Sequence, residues 1–299
     1  MHDGLSAEPL PTAIRDALST PAPRATRFIV TIYGDVAEPR GGTLAMGTLI
    51  ETCAAHGISE SLARTAVSRL VASGRLDGER VGRRSFYRLT DAARAEFRAA
   101  ARLFYDPWSE ARGWLFALGE AALPEDLSSV AWARIAPDLA LAPDRPDVTR
   151  PDAPLVAGTA LTGQAPVAFA AAHWDLSGVG EAYRAFLRRY APVAAALGSG
   201  PLPEAEVCLA LRLRLVHAYR QAVLSDPRLP VGTLPRDWPG PEARTVFATA
   251  YLRLAEMADA HIGASFVDAG GALPAETDAT RARLASLRRV LAPAAGPAR

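Results

Sequence analysis

An α+β fold divided into more than one compact unit is what the 299-residue sequence predicts, on three observations. Apolar side chains recur at helical spacing over 174–198, 206–224 and 241–262, so the C-terminal part reads as helical. Residues 75–90, RLDGERVGRRSFYRLT, read as two short strands about a turn at Val81, Gly82 and Arg83. Between these blocks, short apolar runs alternate with proline and acidic loops, the pattern of a small mixed α/β unit.

Length and composition bound the rest. The chain is long enough for two or three units that each bury a core. Hydrophobic residues are 49% and charged residues 22%, and no apolar run reaches the roughly 18 to 20 residues of a membrane span. The first 24 residues lack the basic start and apolar core of a secretory signal and read as a mobile arm. Cys53 and Cys208 are far apart at apolar helical positions, which suits buried free thiols in a reducing compartment, so the cytoplasm is expected. Lysine is absent, and every fixed basic charge is arginine. The net charge of +1 conceals a local excess: from Arg64 to Arg88 there are seven arginines against Asp77 and Glu79, a local +5. A basic footprint in a near-neutral chain is what a nucleic-acid reader needs, because phosphate contacts supply much of the affinity.

The N-terminal elements follow in order. RATRFIVTIYGDV, 24–36, mixes β-branched and aromatic residues but leads into helical pattern and is assigned helix. TLAMGTLIETCAAHG places Leu44, Leu49, Ile50 and Cys53 at helical spacing, and Gly57 stands where a left-handed C′ residue ends a helix. Ser59 is then the N-cap of ESLARTAVSRLVASG, which Gly74 terminates. On that helix Leu62, Ala63, Ala66, Val67, Leu70 and Val71 share one face and Ser61, Arg64, Thr65 and Ser68 the other. The polar face is either an ordinary solvated surface or a recognition face, since arginine binds guanine bidentately and Ser or Thr serves a base edge or a phosphate. The arginine hairpin that follows, with Phe86 and Leu89 inward and Arg83 and Arg84 at its tip, favours the second reading: a winged helix-turn-helix. A helix capped by Thr90, with Ala93, Phe97, Ala101 and Phe104 along one stripe, then connects this unit to the remainder and stops before Pro107.

Four runs, 113–119, 130–136, 155–161 and 165–171, read as strands. The helix of 174–198 carries Val179, Tyr183, Phe186, Leu187, Tyr190, Val193, Ala194 and Leu197 on one stripe, with Glu181, Arg184, Arg188 and Arg189 outward. In 206–224 the leucines at 209, 211, 213 and 215 alternate like a strand, but length and helix formers decide for a helix buried around most of its axis. Helix 241–262 has Pro241 in its first turn and Phe247, Tyr251, Leu254 and Met257 or Ala258 on one face. Residues 225–240 hold five prolines and are rigid irregular chain. They read either as a clasp, in which Arg220 or Arg228 pairs with Asp226 or Asp237 and Trp238 plugs a helix junction, or as a ligand-pocket wall. The division expected is an arm at 1–24, the DNA-binding unit with its connecting helix at 25–108, a middle unit at 109–200, a helical unit at 201–265 and a tail with a possible helix at 266–299.

An enzyme is a weaker alternative. His2, His56, His173, His217 and His261 show no metal-ligand spacing, and no CxxC, phosphate loop or GxSxG occurs. No cofactor, metal site or catalytic residue is therefore expected. A nuclease would have only Glu120 near the first middle strand. A scaffold that no longer binds DNA is a second alternative.

Two distant blocks resemble the PaaX family of bacterial repressors of phenylacetate catabolism. One is 27–93, with PRGG, GIS, RTAVSRLV and GRRSFYRLT; the other joins HWDLSGVGEAYRAFL to AYRQAVLSDPRLPVGTLPRDWPG. The resemblance implies a winged-helix domain, a ferredoxin-like middle domain and a helical C-terminal domain, assembled as a homodimer on a palindromic operator and released by an aryl-acetyl coenzyme A thioester. It carries Arg64, Thr65, Ser68 and Arg69 onto the recognition helix beside Ser61, and Arg83 and Arg84 onto the wing beside Arg88. The stretch from Gly119 to Val130 is short for the first helix of a ferredoxin-like fold. For the effector, the expected groups are Arg184, Arg188, Arg214 and Arg220 at the phosphates and Trp174 or Trp238 in an aryl pocket.

Overall fold

The computed structural model describes residues 10–119, 130–161 and 165–292. Their contacts form two units that are not consecutive stretches of chain: Met1–Asp106 with Phe186–Tyr219 and Arg244–Arg299, and Pro107–Ala185 with Arg220–Ala243. No helix of the described residues is long and apolar enough to cross a membrane.

In the first unit α1 (Thr12–Leu18) precedes α2 (Ala25–Ile32), which continues through a π-helical turn, Tyr33–Ala37, and a 3-10 turn, Glu38–Arg40. Strand β1 (Thr43–Ala45) runs directly into α3 (Met46–Ala54), and α4 (Glu60–Ala72) follows. Strands β2 (Leu76–Val81) and β3 (Arg84–Leu89) form the hairpin, and α5 (Asp91–Tyr105) leaves it. The three strands make an antiparallel sheet in the order β1-β3-β2. Gly57 and Gly74 end α3 and α4 with φ of +77° and +68°, as their positions predict. Leu44, expected on a helix, instead pairs with Tyr87 in the β1–β3 ladder, because the helix starts only at Met46. Residues 10–24 are not an arm: Ile14 and Ala17 of α1 are buried, and Thr20 and Pro21 accept hydrogen bonds from Arg214.

The second unit holds β4 (Trp114–Leu118), β5 (Ala133–Ala136), β6 (Leu139–Pro143) and β7 (Leu155–Gly158), antiparallel in the order β5-β6-β4-β7. Trp114, Leu141, Trp174, Leu176 and Leu229 build one core cluster, and Leu115, Ala117, Trp132, Ala140 and Ala142 another. Two expectations are corrected. Strand β6 lies where no strand was assigned, and 165–171 is helix α6 (Pro166–His173), with proline in the first turn and five alanines around its start and body. A short apolar run does not reveal its period, and alanine and N-terminal proline favour helix. Residues 144–154, between β6 and β7, contain no helix. The segment 120–129, with Glu120, lies outside the described residues.

The long helices are α7 (Leu176–Ser199), α8 (Ala205–Val223) and α9 (Gly240–Ser265). Leu209, Leu211, Leu213 and Leu215 of α8 are all buried, which explains the strand-like alternation: the helix has no apolar stripe because most of its circumference is core. The proline-rich segment is a clasp within the second unit. Buried Arg145 donates to the carbonyls of Pro227 and Arg228 at 2.9 and 2.6 Å, and Tyr183 Oη donates to Asp226 Oδ2 at 2.9 Å. The ion-pair partners differ from those expected: Arg228 meets Asp147, and Asp237 meets Arg184. Residues after 265 are no tail. Strands β8 (Val267–Asp268) and β9 (Gly271–Ala272) pair, and α10 (Asp278–Leu291) opens with a capping box at Thr277 and Thr280.

Candidate nucleic-acid interface

Helix α4 starts cleanly because the Ser59 side chain accepts from the Leu62 amide at 3.5 Å and Glu60 complements the helix dipole. Ala63, Ala66, Val67 and Leu70 are buried; Ser61, Arg64, Thr65, Ser68 and Arg69 are exposed. Leu62 and Val71 were expected on the buried face but are 56% and 38% exposed, so the buried arc is narrower than the apolar pattern. Thr65 Oγ1 donates back to the Ser61 carbonyl at 2.8 Å. Both Nε and Nη2 of Arg64 lie 2.8 Å from Glu60 Oε1, in a pair more than half exposed on each side.

The hairpin is held by its inner residues. Phe86 and Leu89 are buried, and Tyr33 Oη donates to the Tyr87 carbonyl at 2.9 Å. The two-residue turn pairs Val81 with Arg84 and needs φ of +61° at Gly82, which a glycine adopts without strain. Arg83, Arg84 and Arg88 are left exposed, Arg88 with Asp77 at 3.9 Å. All eight expected DNA-facing residues are therefore on the surface. Three of them, Arg64, Arg83 and Arg84, line one cleft of about 490 Å³; Ser61, Thr65, Ser68, Arg69 and Arg88 lie outside it.

The expected effector residues are not one site. Arg188 and Arg214 belong to the first unit; Trp174, Arg184, Arg220 and Trp238 belong to the second. Arg214 is corrected outright. It is buried, with Nε on His56 Nδ1 at 3.0 Å, Nη1 on Thr20 and Pro21, and Nη2 on the His56 carbonyl, so all three nitrogens are already bonded. Trp174 is a core side chain 7% exposed, its indole N–H on the Ala131 carbonyl. Trp238 is half-buried against Tyr183 and, with the guanidinium of Arg184, flanks Gly180. Arg188 is exposed and Arg220 half-buried.

Sequence reasoning missed the most connected side chain of the first unit, Asp35 in the π-helical turn. Its fully buried carboxylate accepts from Arg212 Nε at 2.9 Å, Tyr105 Oη at 3.0 Å and Tyr251 Oη at 2.8 Å. Arg283 of α10 donates to the Asp35 carbonyl at 2.9 Å, and Arg212 and Arg40 share Asp259 at 2.7 and 2.8 Å. Burial would raise the Asp35 pKa, but the Arg212 and Arg283 guanidiniums and the tyrosine hydroxyls outweigh it and hold it below the usual value. The signal was present in LRLRLV: arginines inside a helix that is apolar all round require buried acids.

Residues 24–93 match the family model described as PaaX-like protein, and residues 174–264 match PaaX-like protein C-terminal domain. Transcriptional repressor PaaX of Escherichia coli (strain K12) is 30% identical over 291 residues, covering 89% of this chain and 92% of that protein. The solved structure of uncharacterized protein Rv0674 from Mycobacterium tuberculosis is similar at a TM-score of 0.46 and 23% identity, over 79% of this chain and 97% of that one.

Proposed function

The chain belongs to the PaaX-like protein family, and on that premise we propose that it is a DNA-binding transcriptional repressor. The observation that carries the reading is the single exposed surface on which α4 and the hairpin present Ser61, Arg64, Thr65, Ser68, Arg69, Arg83, Arg84 and Arg88. In this reading α3, α4 and the hairpin are a winged helix-turn-helix. Helix α4 enters the major groove, where Arg64 reads a base edge, and the hairpin lies along the backbone as the wing. The middle unit is an abbreviated ferredoxin-like domain, in keeping with its strand order.

The finer assignment is a homodimeric repressor in the cytoplasm, at the nucleoid, on a palindromic operator of an aromatic-acid catabolic operon. An aryl-acetyl coenzyme A thioester releases it. Release follows if the thioester binds better to a dimer whose two readers are not spaced by about 34 Å, one helical turn; the shift equals that difference in affinity. Arg184 and Trp238 are the effector contacts retained, with Arg220 and Arg188 secondary.

The test is fluorescence anisotropy with DNA from upstream of the chain's own gene neighbourhood, over a salt series, with phenylacetyl-CoA and with free CoA. Tight binding that weakens steeply with salt and is reversed only by the thioester is the expected result. Salt-insensitive or absent binding overturns the DNA reading, and binding indifferent to the thioester overturns the effector.

A further inference from the structure

Helix α3 begins differently from its neighbours. Helices α4, α5 and α10 are capped by the side chains of Ser59, Thr90 and Thr277, whereas α3 emerges from β1 with Ala45 at its N-cap and no side-chain cap. The amides of Met46, Gly47 and Thr48 therefore have no intrahelical acceptor and sit at the positive end of the helix dipole. A Cβ at Gly47 would meet nothing within 4 Å, so the backbone there is open to close approach. Thr48, only 5% exposed, lines the cleft with a hydroxyl that has no hydrogen-bond partner. Its carbonyl is engaged by Thr52, but its Oγ1 is not.

The same cleft, about 490 Å³, is walled by Arg64 from α4, by Arg83, Arg84 and Ser85 from the hairpin, and by Ser265 on the far side. Glu51 is the one carboxylate on the wall, against three guanidiniums. Amide donors at a helix start, a hydroxyl held in place by burial and converging guanidiniums are the donor set of a tetrahedral oxyanion.

We propose that the cleft where α3 begins is a phosphoryl-binding seat formed by the first-turn amides of α3, Thr48, Arg64, Arg83 and Arg84. This rests on the reading of α4 and the hairpin as the DNA-facing surface, and it adds α3 to that surface. The phosphoryl group has two sources, a DNA backbone phosphodiester or a free phosphorylated molecule, and both present the same oxygens.

The experiment compares wild type, Thr48→Val and Thr48→Ser on a duplex the wild-type chain binds, replacing one backbone phosphate at a time by an uncharged methylphosphonate. A second arm titrates inorganic phosphate into the DNA-free proteins by calorimetry. Thermal unfolding of each variant establishes that it is folded. With a backbone phosphate in the seat, one methylphosphonate position costs wild type and Thr48→Ser about tenfold, and that penalty shrinks to about twofold in Thr48→Val. With a free ligand, the duplex profiles coincide, while inorganic phosphate binds wild type and Thr48→Ser and not Thr48→Val. Identical duplex profiles together with phosphate binding unchanged or absent in all three proteins overturn the seat. Absence of any duplex binding overturns the DNA reading, and the phosphate arm still decides the seat.

Discussion

Arg64 and Arg214 carry the same guanidinium, and their surroundings give them opposite roles. Arg64 is exposed, tethered on one edge by Glu60 with its other edge facing the cleft; Arg214 is bonded at every nitrogen to α1's trailing loop and to His56. Arg64→Ala should cost roughly 1–3 kcal/mol of operator binding and relax preference at one base pair. Arg83→Ala should weaken all sequences alike and reduce the log K against log salt slope by about one; competition titrations with base-substituted duplexes separate the two outcomes. His56 gives a pH prediction. Burial, with Arg214 and His217 beside it, pushes its imidazole down to about 3. The folded pKa lies below the unfolded one, so stability is full above about pH 6.5 and falls below it, by about 1.4 kcal/mol per pH unit until pH 3. His56→Gln keeps an acceptor for Arg214 and removes the titration. Denaturant midpoints between pH 7 and 4 should therefore fall less steeply in the variant; equal slopes would remove His56 as the cause.

At the scale of elements, the carboxylate of Asp35 joins the π-helical turn to α5, α8 and α9, and Arg283 of α10 closes over it. This turn leads through the 3-10 segment and β1 into α3, so the same acid that satisfies buried arginines also fixes where the α3–α4 pair begins. Removing one partner from a buried network leaves uncompensated charge, and Asp35→Asn should cost roughly 3–5 kcal/mol. Glu60→Gln, which breaks an exposed pair on α4, should change stability by less than about 1 kcal/mol. Urea unfolding of both variants checks the contrast, and comparable losses would mean that the Asp35 cage carries little of the stability.

At the scale of the whole molecule, the proposed repressor is a pair of readers whose spacing must match the helical repeat of DNA. Inserting five base pairs between half-sites should abolish cooperative binding by turning one half-site to the opposite side, and inserting ten should restore part of it. Gel-shift titrations read this directly, and indifference to a five-base-pair insertion would exclude a rigid dimer. The recognition surface was legible in the sequence because its parts are local: Ser59 caps α4, Gly82 turns the hairpin, and the exposed residues alternate with a buried set at fixed periods. The long helices were legible for the same reason. Alanine-rich 165–171 was not, because a short apolar run carries no period, and neither was α1, whose two buried residues depend on a groove supplied by distant chain. The sequence by itself determined which segments are helix or hairpin and where positive charge gathers, since both depend on residues a few positions apart. Only the tertiary structure decided which arginines remain available, placing Arg212, Arg214 and Arg283 among acids, carbonyls and His56 while leaving Arg64, Arg83 and Arg84 on a cleft. A guanidinium's availability is set by partners brought from 158 to 248 residues away, and no local pattern encodes them.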